Sequence, residues 1–129
     1  MDEEFMRGYY DAYNSGDPAL LGAFLADDVV MVSAQGESRG KDAYLATYKA
    51  ITAAFVDQMT PTAITVDGDT ATVRITDRFT AKTDVPDFLG QSYAKGQGFT
   101  LQLLARYRAQ GKKIAHIEVE ITGMSGNGS

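Results

Sequence analysis

Residues 99–121 read FTLQLLARYRAQGKKIAHIEVEI, two runs of alternating character separated by Ala109-Gln110-Gly111. Successive side chains of an extended chain point to opposite faces. Phe99, Leu101, Leu103, Ala105 and Tyr107 therefore share one face of the first run, and Ala115, Ile117, Val119 and Ile121 share one face of the second. The opposite face carries Arg106, Arg108, His116, Glu118 and Glu120, broken by Leu104. Two such runs around a glycine-containing turn read as an antiparallel hairpin. One apolar face and one charged face mark a sheet that covers a core on one side only.

The stretch VRITDRFTA at 73–81 repeats this pattern with one exception. Val73, Ile75, Asp77 and Phe79 fall together, with Arg74 and Arg78 behind them. A run at 60–67, joined to 70–81 through Asp67-Gly68-Asp69, completes four strands in succession. An ionised carboxylate among apolar neighbours is costly unless it is paired, hydrogen-bonded or neutral. Two readings of Asp77 follow: it is satisfied inside a packed interior, or it lines a pocket as proton acceptor or ligand anchor.

The N-terminal half is helical by pattern. Phe5, Tyr9 and Tyr13, with Met6 and Tyr10 beside them, make one stripe over residues 2–15. Asn14-Ser15-Gly16 ends that helix, and Asp17-Pro18 opens a short second one as N-cap and first position. Leu20, Leu21, Phe24 and Leu25 form its buried side. A β-rich run, VVMVSA, occupies 29–34, a turn 35–40, and a third helix about 41–55, with Tyr44, Tyr48, Ile51 and Phe55 on one face. The connection 82–96 holds Phe88, Leu89 and Tyr93, and its length suggests function. The tail 122–129 is small and polar and is expected to be disordered. Helices first and hairpin-linked strands after give an α+β class: a single domain over 1–121 with N-terminal helices on one face of a curved antiparallel sheet.

Composition excludes several classes. The net charge is −5 and no basic run occurs, which argues against nucleic acid as a partner. No apolar run approaches the roughly 20 residues that span a bilayer, which argues against a membrane. One histidine and no cysteine make a poor transition-metal set, so neither metal nor cofactor is expected. The start, MDEEFMRGYY, lacks the layout of a signal peptide, and with no cysteine the expected location is cytoplasmic.

The block YYDAYNSGDPALLGAFLADDVVMVSAQGESRGKDAYLATY (9–48) resembles the opening of the nuclear transport factor 2-like superfamily, closest to its SnoaL-like polyketide cyclase and ketosteroid isomerase branches. The likeness lies in an aromatic first helix ending Asn-Ser-Gly-Asp, the run LLGAFLADDVV, and Gly-Lys-Asp at the third helix. DFLGQSYAKGQGFTLQLLARYRAQGKKIAHIEVEI (87–121) is similar to the SnoaL-like ending. The resemblance implies a cystatin-like cone opening into an apolar pocket, and a homodimer through the charged outer face. Tyr9 falls where ketosteroid isomerases use a tyrosine to stabilise an enolate. Ser33 and Leu103 fall at their two acid positions, and the last strand carries no inward aspartate of the cyclase kind. The expected activity is a metal-free isomerase or cyclase acting on an apolar ring or polyketide-like molecule. Asp77 would serve as base and Tyr9 as hydrogen-bond donor, with Tyr13, Met31, Ser33, Tyr48, Phe79, Phe88 and Leu103 around the substrate. The alternative is a non-catalytic, dimeric binder of an apolar small molecule.

Overall fold

The computed structural model describes residues 1–34, 36–88 and 90–125. Helices α1 (Glu3–Asn14), α2 (Pro18–Gly22) and α3 (Lys41–Ala54) accompany strands β1 (Leu25–Ser33), β2 (Gly36–Arg39), β3 (Phe55–Asp67), β4 (Thr70–Ala81), β5 (Val85–Phe88), β6 (Gln91–Tyr93), β7 (Gly98–Gln110) and β8 (Lys113–Ser125). Six strands form one sheet in the order β2-β1-β8-β7-β4-β3, and β5 pairs with β6 in a separate hairpin. Only β1 and β8 run parallel. The sheet is curved and unclosed, with β2 and β3 at its edges and the N-terminal helices packed into the concave side. This is the expected α+β architecture.

Local chemistry explains the helix ends. Asp2 caps α1 by accepting from the Phe5 amide at 2.8 Å, and Glu3 and Glu4 favour the positive end of the helix dipole. Asp17 caps α2 in the same way, with Pro18 in the first turn.

Four boundaries differ from expectation. First, α2 stops at Gly22, so Leu25 begins β1, and Leu20 is exposed while Leu21 is fully buried. Second, the expected turn at 35–40 contains β2, which returns along β1 from Val30↔Arg39 to Ser33↔Gly36. Third, α3 ends at Ala54, and β3 begins at Phe55 rather than near residue 60. Fourth, β8 continues through Ser125, opposite Thr100, because β7 offers unpaired backbone that far. Residues 122–125 of the expected disordered tail are therefore strand, and 126–129 lie outside the described residues. The connection 82–96 folds largely as the β5–β6 hairpin, and Leu89 lies outside the described residues.

The inward face of β4 and β7 is buried as alternation required: Val73, Ile75, Asp77 and Phe79 with Phe99, Leu101, Leu103, Ala105 and Tyr107. Gly98 sits where β7 meets β4, and a Cβ there would collide with the Phe79 carbonyl oxygen. Backbone cannot retreat as a flexible side chain can. Gly98→Ala is therefore expected to cost about 1–3 kcal/mol, read as a lowered midpoint in urea with an unchanged slope.

Candidate functional site

Register brings two acids together on the concave face. Asp77 of β4 stands opposite Met59 of β3, and Asp57 stands opposite Phe79. Asp57 and Asp77 are thus diagonal neighbours on one face, a spacing that side chains can bridge. Their carboxyl groups hydrogen-bond to each other, Asp77 donating and Asp57 accepting. Asp57 also accepts at Oδ2 from the Tyr13 hydroxyl, at 2.7 Å.

Helix α1 holds this arrangement in place. β3 is an edge strand, whose outward backbone groups need partners from elsewhere. Asn14 supplies them at Met59: its Nδ2 donates to the Met59 carbonyl at 2.8 Å, and its Oδ1 accepts from the Met59 amide at 2.7 Å. Consecutive residues of α1 therefore clamp the β3 backbone and hold the Asp57 carboxyl. The Tyr48 hydroxyl of α3 donates to the Tyr13 carbonyl and ties α3 to the same turn.

Both acids are buried, Asp77 at 2% exposure and Asp57 at 5%. Oδ1 of each is shielded from solvent and accepts from no N–H or hydroxyl of the described residues, which leaves the proton between the two carboxyls to satisfy them. Burial raises the pKa of Asp77 first, and the hydrogen bond it donates and the charge of Asp57 raise it further. Burial also raises Asp57, against the lowering effect of the bonds it accepts from Asp77 and Tyr13. Of the two, Asp77 is the carboxyl held protonated, and its proton lies in the bond to Asp57.

The sign of the pH effect on stability follows. Asp77 keeps its proton when folded and releases it near pH 4 when unfolded, so the folded state binds more protons above about pH 4. The stability contributed by protonated Asp77 is complete below that pH and is lost as pH climbs towards the raised folded value. Asp77→Asn has no such dependence. Its melting temperature is expected to gain on the wild type progressively from about pH 4 to neutrality, as followed by circular dichroism.

Beside Asp77 lies a cavity of about 270 Å³. Tyr13, Met31, Phe79, Phe88, Leu101 and Leu103 make most of its apolar wall, while Ser33, Glu37, Ser38 and Thr47 add polar groups. Of the residues expected around a substrate, Tyr13, Met31, Ser33, Phe79, Phe88 and Leu103 line it together with Asp77. Tyr9 and Tyr48 do not.

Tyr9 instead bonds the Tyr44 hydroxyl at 2.6 Å, its ring packed edge-on against Tyr10 and Tyr107, and burial pushes its pKa up to about 12. Tyr10 donates to Tyr107 at 2.9 Å, completing a buried tyrosine cluster away from the acids. The reason is axial distance. Tyr9 and Tyr13 share a stripe, but four residues are about 6 Å along a helix, and only Tyr13 is level with the carboxyl pair. The expected Tyr9–Asp77 partnership is thus replaced by Tyr13–Asp57–Asp77.

Asp57 was not expected, because Phe55 was read as the end of α3 and the strand as starting near 60. The signal was present: Phe55 and Asp57 are buried and Val56 and Gln58 exposed, the same period of two carried five residues upstream. On the convex face Arg106 stands opposite Glu118 and Arg108 opposite His116, whose Nδ1 lies 4.0 Å from Glu118. Among the described residues no cluster of acids and histidine could hold a metal ion, and no helix is long and apolar enough to cross a membrane.

Comparison with known proteins agrees with this architecture. The family model of the SnoaL-like domain matches residues 6–117. A candidate polyketide cyclase from Xanthomonas campestris superposes with a TM-score of 0.79 at 22% identity, covering 91% of this chain and 87% of that one. IdmH from Streptomyces antibioticus, also a candidate polyketide cyclase, gives 0.75 at 22% identity, covering 92% and 90%. An epoxide hydrolase of the LEH-like type from M. tuberculosis gives 0.74 at 13% identity, covering 92% and 80%. No curated protein matches the sequence.

Proposed function

Because the chain belongs to the SnoaL-like domain family, we propose that it is an acid–base catalyst that moves a proton within an apolar ring ketone or polyketide-like molecule, as an isomerase or cyclase does. One observation carries this reading: Asp77, hydrogen-bonded to Asp57 in a buried acid pair, lines an apolar cavity.

The pair works as a unit. Through the oxygen that faces the substrate, the Asp77 carboxyl takes a proton from the carbon beside the substrate carbonyl while the proton already on Asp77 passes to Asp57. The pair then holds two protons and the substrate is an enolate. Returning a proton from Asp77 to another carbon completes isomerisation; attack of the enolate on a second carbonyl, whose oxygen then takes that proton from Asp77, completes ring closure. Burial, by raising the pKa of the pair, makes its anion a stronger base than a solvated carboxylate. Tyr13 holds the Asp57 carboxyl group in place through both stages. Asp77 is thereby base and acid in turn, and Tyr9 has no contact with the substrate.

The cavity suits this substrate class. An apolar cavity of ~150 Å³ takes up benzene, so 270 Å³ admits about two fused rings. The reading includes a homodimer through the convex face, where facing Arg106 and Glu118 let two copies neutralise each other, and a cytoplasmic location consistent with the lack of cysteine. The displacement of Tyr9 from the cavity favours one alternative, a non-catalytic binder of an apolar small molecule, since the expected enolate donor is missing.

β-Tetralone separates the two readings. In deuterated buffer the protein should speed loss of its α-proton signals in proton NMR well above the buffer rate. Saturable binding of β-tetralone with exchange at the buffer rate would leave the binder.

A further inference from the structure

We infer that the cavity selects a ring compound carrying a protonated nitrogen, held as an N–H donor against Asp77 between aromatic faces, and rejects a carboxylate on the same skeleton. The inference rests on Asp57 and Asp77 being the functional pair, and it adds the class of ligand that pair accepts.

Three features of the wall converge on a cation. The ionisable side chains lining the cavity are Asp77, Glu37 and Tyr13, and among the described residues no Lys, Arg or His lines it. Of the cations next in sequence to this wall, Arg39 is largely exposed and bonds Glu37 at 2.8 Å through its Nε, and Arg78 is exposed on the opposite face of β4. The charge of the one-proton acid pair therefore has hydroxyl and carboxyl partners but no positive one.

The hydrogen-bonding sense is equally one-sided. Asp77, 2% exposed, lines the cavity and accepts from no N–H or hydroxyl of the described residues, and the Tyr13 hydroxyl is already committed to Asp57. A ligand that completes this site must donate. An ammonium does so while supplying the missing charge, whereas a carboxylate brings a second acceptor and a like charge beside the acid pair. Phe79 and Phe88, with ring centroids 5.7 Å apart and planes tilted by 44°, both line the cavity. Their negative π faces attract a desolvated cation as well as apolar carbon. The low dielectric around the pair strengthens each of these preferences.

The test uses three probes of one skeleton at neutral pH: aminotetralin, which is protonated there, β-tetralone, which is neutral, and tetralin carboxylate. Titration calorimetry on the full chain should rank them in that order, with aminotetralin at least about tenfold tighter than the carboxylate. The variant Asp57→Asn/Asp77→Asn, which keeps volume and removes the buried charge, should bring amine and carboxylate to within about twofold; circular dichroism checks that it folds. Asp77→Asn alone should keep most of the amine preference, because Asp57 retains the charge, while losing β-tetralone exchange. Equal or tighter binding of the carboxylate, no binding of the amine, or a preference that survives in the double variant overturns the inference. β-Tetralone exchange that persists beside any of those results leaves the acid–base reading standing.

Discussion

Asparagine in place of Asp77 lowers the rate of β-tetralone α-proton exchange by roughly 10²–10⁴-fold, the usual contribution of one positioned general base. Affinity for β-tetralone changes little, because the amide keeps the volume of the carboxyl at the wall of the cavity. The amide can also donate to Asp57 as the protonated acid does, so the β3–β4 face and the Tyr13 bond remain. Lost exchange with retained binding and a melting temperature no lower than the wild type's is thus a chemical effect. Measuring rate by NMR, affinity by calorimetry and folding by circular dichroism separates the three. An exchange rate equal to the wild type would remove Asp77 from the chemistry and leave it a structural acid.

Phe55→Ala has the largest effect expected on stability, about 3–5 kcal/mol, or roughly 10–20 °C in melting temperature. Phe55 is 1% exposed and its ring meets Phe79, Phe88, Tyr93 and Phe99 at centroid distances of 5.6, 4.9, 6.1 and 5.8 Å. Edge-on contacts of this kind add to the burial of the ring. Removing the ring leaves a void among four aromatic neighbours that cannot all move inward, since Phe79 and Phe99 are held by the β4–β7 ladder. Phe55→Leu, which refills most of the volume, should recover the larger part. A loss below about 1 kcal/mol for the alanine variant would mean that the β5–β6 hairpin collapses inward, with Phe88 taking the vacated space.

The same residue shows why part of the site was hidden in the sequence. Phe55 follows Ile51 by four and so extends the buried stripe of α3, yet it also leads Asp57 and Met59 by steps of two. Helical and extended periods both fit at the junction, and local pattern cannot choose between them. The helix reading ended the alternation short of Asp57, and with it the partner of Asp77 was lost. The stripe of α1 misled differently. It put Tyr9 and Tyr13 on one face correctly, but a face says nothing of height along the axis, and only the docking of α1 on β3 through Asn14 put Tyr13 rather than Tyr9 beside the acids.

Alternation along 73–81 and 99–121 was enough to assign the inward face of the sheet, to mark Asp77 as its one acid there, and to place the arginines outside. Those are properties of one strand at a time, set by a geometry that repeats every two residues. Pairing Asp77 with Asp57, bonding Asp57 to Tyr13, and bringing Asp77 to the wall of a cavity depend on register between β3 and β4 and on the seat of a helix 44 residues away in the chain. Register and docking come from the summed packing of many side chains, so they are written in no local stretch, and the tertiary structure alone decided them.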